Sequence, residues 1–139
     1  MSETVSICDN TNGKEMGILA MSPTVLVVED NEILRSLMAE AISLLGVGVS
    51  DCASADEAIP ILEGQSSIIL VITDICMPGS MGGLELAQVI WSRWPGLPVI
   101  ITSGNRSVPD GLLPANAKFF SKPWKIDVFY QVVRTYLPT

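Results

Sequence analysis

Four short apolar runs, each ending against a polar or charged residue, constrain this chain more than any other feature. They are Val25–Val28, the most continuous, Ser67–Thr73, Pro98–Thr102 and, interrupted by Lys118, Ala117–Phe120. A run that is apolar at successive positions, without in-out alternation, suits a strand buried on both faces. Ser67–Thr73 is the most apolar of them and is expected at the centre of a sheet. Val47–Cys52 is more polar and suits an edge strand. Between these runs the period changes. Ile33, Leu34, Leu37, Met38, Ala41, Ile42 and Leu45 recur at helical spacing, with Asn31 placed to cap the helix and Gly46 to end it.

Ser54 and Glu57 form a capping-box pattern ahead of a second helix, which Pro60 should kink or keep short. Leu84, Ala87, Ile90, Trp91 and Trp94 mark a third helix, stopped by Pro95-Gly96, with both tryptophans expected in the core. Val128, Phe129, Val132, Val133 and Tyr136 mark a last one. Strands alternating with helices predict an α/β fold, a parallel sheet covered on both faces. One stretch breaks the rhythm. Ser103–Asn116 contains Gly104, Pro109, Gly111 and Pro114, and a proline inside a helix costs about 3 kcal/mol. A helix there is predicted to be very short or absent.

At 139 residues, of which 48% are apolar and 17% charged, the chain has the size of one domain and is too apolar to be disordered. Residues 1–22 differ in being rich in Ser, Thr, Asn and Gly, and are expected to be a flexible N-terminal extension; Met21 could serve as an alternative start. Residues 23–139 form the domain. No run approaches the ~18–20 apolar residues of a membrane span, and the start lacks a basic signal-peptide region. Fifteen acids against eight bases give a net charge of −7, which repels nucleic acid. The absence of histidine excludes a Ser-His-Asp triad, a Cys-His dyad and histidine metal sites. Cys8, Cys52 and Cys76 are odd in number with no CxxC spacing, which reads as reduced thiols in a cytoplasmic protein.

In an open α/β sheet the ligand site lies beyond the carboxyl ends of the strands. The residues there are Glu29 and Asp30 after the first strand, Asp74 after the third, Thr102 and Ser103 at the fourth, and Lys122 followed by Pro123 after the fifth. Carboxylates gathered at one point must raise their pKa or collect a cation. An oxygen-only donor set favours Mg²⁺, or Mn²⁺ in its place. An Asp carboxylate is a competent nucleophile toward phosphorus, and Lys and Ser side chains can bind the remaining phosphoryl oxygens. The chemistry suggested is phosphoryl transfer onto Asp74.

The stretches VLVVED (Val25–Asp30), VITDICMPG (Val71–Gly79), GLEL (Gly83–Leu86), PVIITSG (Pro98–Gly104) and FFSKPW (Phe119–Trp124) resemble, in order and spacing, the receiver domain of two-component response regulators, the CheY-like family. The resemblance covers about residues 23–137. It implies a doubly wound five-stranded parallel sheet of order 2-1-3-4-5, with Asp74 accepting a phosphoryl group from the phosphohistidine of a sensor histidine kinase or His-phosphotransfer protein. It further implies Asp30 as a direct Mg²⁺ ligand, Glu29 acting through water, and the backbone carbonyl of Cys76 as a third ligand beside Asp74. Lys122 matches the family's lysine, with a cis bond before Pro123. Ser103 matches the switch hydroxyl, Thr102 falling one step early, and Phe119 the aromatic switch position. Cys76 and Asn105 match positions that tune dephosphorylation; neither is a carboxylate. A receiver of this kind is a signalling phospho-acceptor and not an enzyme, save for self-phosphorylation and self-dephosphorylation.

The chain departs from the pattern in a loop after Asp74 that is one residue longer than the common form, in Glu29 for the commoner Asp, and in the degraded helix before the fifth strand. In relatives that helix belongs to the output face; Trp124 is either a partner contact there or packed under the last helix. Because the chain stops directly after its last helix, it is expected to be a stand-alone receiver acting on a downstream protein, with no output module, no nucleic acid and no membrane. Two other readings stay open. One is a phosphorylation-independent docking module. The other is a haloacid-dehalogenase-like phosphatase, disfavoured because Cys76 stands where that family has its second acid and there is no room for a cap domain.

Overall fold

The computed structural model describes residues 23–77, 79–104, 111, 113–122 and 125–137. Five strands form one sheet: β1 (Thr24–Val28), β2 (Gly48–Cys52), β3 (Ile68–Asp74), β4 (Val99–Ser103) and β5 (Ala117–Ser121). Their order is β2-β1-β3-β4-β5 and every pairing is parallel. Four α-helices lie among the described residues: α1 (Glu32–Ser43), α2 (Ala55–Gly64), α3 (Gly83–Arg93) and α4 (Ile126–Arg134). None of them is long and apolar enough to cross a membrane.

The pleat sorts the apolar runs onto two faces. Val25 and Val27, with Leu70, Ile72 and Ile100, pack against Met38 and Ile42 of α1 and Phe129 and Val133 of α4. Leu26 and Val28, with Val71, Val99 and Ile101, pack against Ala55, Ala58 and Leu62 of α2 and Leu86, Ala87 and Ile90 of α3. Each fully buried Val, Leu or Ile contributes about 1.5–3 kcal/mol relative to leaving it in water. Both layers are therefore needed, and the edge strands β2 and β5 are far less buried than the central three.

Local signals behave as their chemistry requires. Asn31 Oδ1 accepts from Leu34 N at 2.9 Å, and Ser54 Oγ from Glu57 N at 3.2 Å. Gly46 takes the left-handed conformation (φ 87°) just past α1. Pro60 sits inside α2, which runs only ten residues. The described part of the 103–116 stretch, Ser103, Gly104, Gly111 and 113–116, holds no α-helical residue, whereas 105–110 and 112 lie outside the described residues, as do residues 1–22.

Two expectations need correction. The apolar stripe of α1 is wider than its buried face: Met38, Ala41 and Ile42 are buried, but Ile33 is 75% and Leu37 59% exposed. Trp91 is 47% exposed, not a core residue. Trp94 alone turns to the α2–α3 side of the core, with the Arg93 guanidinium 4.5 Å over its ring. Helical spacing alone therefore overstates the width of the buried face in both helices.

Candidate functional site

The parallel sheet brings the carboxyl ends of β1, β3, β4 and β5 to one rim. There Glu29, Asp30 and Asp74 each offer an oxygen, and these oxygens lie within 4.8 Å of one another. In a magnesium octahedron with ~2.1 Å bonds, neighbouring ligand atoms lie about 3 Å apart and opposite ones about 4.2 Å, so this all-oxygen cluster would have to draw inward to grip such an ion. Asp30 is exposed, Asp74 half-buried and Glu29 only 2% exposed. The opening to solvent is therefore on the Asp30 side.

Glu29 and Asp74 are held in matching ways. Glu29 Oε2 accepts from Asn31 N at 3.1 Å, and Asp74 Oδ1 from Ile75 N at 2.8 Å. The other oxygen of each meets Lys122: Nζ lies 3.4 Å from Glu29 Oε1 and 3.6 Å from Asp74 Oδ2. Burial pushes the Glu29 carboxyl above its ordinary value of 4.5; the Asn31 amide and the Lys122 charge pull it down, and the Asp74 charge pushes it further up. Glu29 also sits just ahead of the N-terminus of α1, where the helix dipole favours an anion.

Lys122 reaches this point because its own N–H donates to the Ser103 carbonyl at 2.7 Å, closing the ends of β5 and β4 together. Ser103 is buried at that end. Thr102 is buried too, but its hydroxyl donates to the Thr73 carbonyl at 3.5 Å, inside the sheet, away from the carboxylates. Phe119 lies on β5 opposite Ile101 and packs, half-buried, against the α2–α3 side of the core. Cys76 is exposed two residues past Asp74, while burial pushes the Cys52 thiol up to about 11; neither is in a disulfide. Asn105, Pro123 and Trp124 lie outside the described residues.

Sequence reasoning missed three supports of the site. Arg35 Nη1 donates to the Glu29 carbonyl at 2.8 Å, and its Nε lies 3.5 Å from Asp51 of β2. Its place one turn into α1, behind an acidic pair, was the available signal. Thr73 Oγ1 donates to the Asp74 carbonyl at 3.1 Å. Gly83 opens α3 against that same carbonyl: a Cβ at this position would lie 2.1 Å from Asp74 O and 2.8 Å from its carbon. Two successive glycines directly before a helix pattern hinted at such a close approach. Gly83 N in turn donates to the Ile75 carbonyl at 3.0 Å, and Ile75 N also reaches the Thr102 carbonyl at 2.9 Å. The Asp74 main chain is thus wedged between β4 and the start of α3.

A family model described as the response regulator receiver domain matches residues 25–134. Among characterised proteins, the C4-dicarboxylate transport transcriptional regulatory protein DctD of Rhizobium meliloti is 34% identical over 119 residues, covering 84% of this chain and 25% of that protein. Response regulator protein FleR of Pseudomonas aeruginosa is 31% identical over 116 residues, covering 81% of this chain and 24% of its own. The chain therefore spans about a quarter of the length of these relatives. The crystal structure of a response regulator receiver protein from Pseudomonas putida is 28% identical, with a TM-score of 0.72, covering 82% of this chain and 97% of that one. Chemotaxis protein CheY4 of Vibrio cholerae shares the fold at a TM-score of 0.71 and 20% identity.

Proposed function

Because the chain belongs to the response regulator receiver domain family, we propose that Asp74 is its phospho-acceptor, charged by the phosphohistidine of a partner histidine kinase or His-phosphotransfer protein. The observation that carries this is the state of the Asp74 carboxylate. One oxygen is held by the Ile75 amide, the other is turned to Lys122, and the carboxylate stands in one cluster with Glu29 and Asp30. That second oxygen, Oδ2, attacks phosphorus. The bond from Oδ2 to phosphorus forms, the phosphorus–nitrogen bond of the donor breaks, and the leaving imidazole takes up a proton.

Asp30, Asp74 and the Cys76 backbone carbonyl would hold Mg²⁺, or Mn²⁺, with Glu29 bound through water. When bound, the ion offsets the negative charge that gathers as the phosphoryl group meets the acids. Lys122 and the Ser103 hydroxyl bind the phosphoryl oxygens. Lys122 leaves Asp74 Oδ2 only for an oxygen of the incoming group, so its charge is never stranded. Phe119 has no hydroxyl, so its two packings differ by burial alone. Their balance sets the face shown to a downstream protein. Two thiols outside any disulfide and a kinase donor fit a reducing, cytoplasmic setting.

The test is incubation with Mg²⁺ and acetyl phosphate, followed by intact mass. A single phosphoryl adduct that disappears in Asp74→Asn is expected. No adduct in the wild type, or one that survives Asp74→Asn, overturns the assignment.

A further inference from the structure

The connection from Asp74 to α3 carries Cys76, contains Gly79 and Gly82, and runs into Gly83 at the start of the helix. Glycine loses more conformational freedom on ordering than any other residue, and each backbone position fixed costs about 1–2 kcal/mol. A span this rich in glycine needs ties from outside itself to hold one shape. Its last turn is tied locally: Gly82 has no side chain to cap α3, and instead its N–H donates to Glu85 Oε1 at 3.1 Å.

Its middle is tied from another element. Both carboxylate oxygens of Asp56, in the first turn of α2, accept from Ser80: Oδ2 from the backbone N–H at 3.1 Å and Oδ1 from the hydroxyl at 2.9 Å. The position next to Ser80 is shaped to this contact. Gly79 has φ 105°, and a Cβ there would lie 2.5 Å from Asp56 Oδ2. Asp56 follows β2, so it stands at the same carboxyl rim as Asp74. The dipole of α2 favours an anion at its first turn, and bonds to an ionised acceptor are about twice as strong as neutral ones. Nothing in the phosphoryl chemistry itself requires this carboxylate. Among the described residues its hydrogen-bond donors are the Ser80 N–H and hydroxyl of the loop, not groups of the acidic cluster.

We propose that Asp56 is a positioning residue for the metal side of the site: by clasping Ser80 across Gly79 it holds the span that carries the Cys76 carbonyl. This rests on the phospho-acceptor reading above. The consequence is selective. Asp74 keeps its Ile75 and Lys122 contacts without Asp56, so loss of the clasp weakens cation binding and leaves the acceptor intact.

The experiment measures Mg²⁺ binding by calorimetry and, in parallel, the rate of acetyl phosphate labelling against Mg²⁺ concentration. The proteins are wild type, Asp56→Ala, Asp56→Asn and Ser80→Ala. Loss of a group that supports a metal ligand costs about tenfold or more in affinity. Asp56→Ala is therefore expected to weaken Mg²⁺ binding about tenfold, with the rate at saturating Mg²⁺ within about twofold of wild type. Ser80→Ala, which leaves the backbone bond, should fall between. Asp56→Asn can still accept from the Ser80 N–H and donate to its hydroxyl oxygen, and should restore most of the affinity. Unchanged Mg²⁺ affinity in both alanine variants overturns the proposal. So does an asparagine variant no better than alanine, which would make the effect one of bare charge, or an equal loss of affinity and saturating rate. If Asp56→Ala does not fold, Ser80→Ala and Asp56→Asn decide. A wild type without Mg²⁺-dependent labelling fails the phospho-acceptor reading instead, a result these variants do not mimic.

Discussion

Among the described residues, Glu29 is a carboxylate whose environment is at odds with its charge. It is buried, and burial raises its carboxyl above the ordinary value despite the Asn31 amide and Lys122. The folded chain therefore holds this proton more tightly than the unfolded one. By linkage, stability falls as pH rises from the ordinary value through the raised one, and stays lower above it. Replacing the acid with a group that does not titrate removes that slope. We expect the melting temperature of Glu29→Gln, relative to wild type without Mg²⁺, to rise as pH climbs above about 4.5 and to level off once pH passes the raised value. Any constant offset reflects the lost Lys122 partner. Thermal melts across that range check it, and a difference independent of pH would contradict the assignment. Lys122 itself was legible from its place after an apolar strand. The rule for strand ends brings Glu29 to the same rim, but the direct pairing of the two, 93 positions apart, could not be read from the chain.

At the scale of elements, much of the fold could be read from the chain because each run carried its own evidence. Val25–Val28 has no polar position to present to water, so it must be covered on both sides, and it is. The α1 stripe was less informative. Ile33 and Leu37 continue the helical spacing of Met38 and Ile42, but spacing does not say where the sheet beneath ends. The contact of α3 with Asp74 was no more than hinted at by Gly82 and Gly83, because it depends on how closely two backbones approach. It has a measurable consequence. Gly83→Ala places a methyl into the Asp74 carbonyl and is expected to cost about 2–3 kcal/mol in urea unfolding, and to slow Asp74 labelling as the strand end is displaced. Gly96→Ala, with nothing within 4 Å, is the matched control and should stay within about 0.5 kcal/mol of wild type.

For the molecule as a whole, a cation bound only by the folded chain stabilises it by mass action. With free Mg²⁺ at about 100 times its dissociation constant, the gain is about 2.7 kcal/mol. We expect the unfolding midpoint to rise with Mg²⁺ in wild type and Asp74→Asn to lose most of the effect. Asp30→Asn should lose it as well, since Asp30 stands at the open side of the cluster. Denaturant titrations at several Mg²⁺ concentrations measure it. The clasp from Asp56 to Ser80 was invisible in the sequence for the same reason as the lysine pairing: a carboxylate 24 positions upstream has no local pattern to betray its partner.

The placement of Lys122 between two acids has a consequence in plain electroneutrality. Three carboxylates and one ammonium leave the rim with a local charge of minus two when all are ionised. One divalent cation cancels that charge. A monovalent ion leaves the site short by one, and a trivalent ion overshoots by one. The ammonium of Lys122 thus lowers the charge that a bound ion would have to balance, a matter of valence and not of ionic radius. Replacing Lys122 with a neutral residue would move the point of balance from two charges to three.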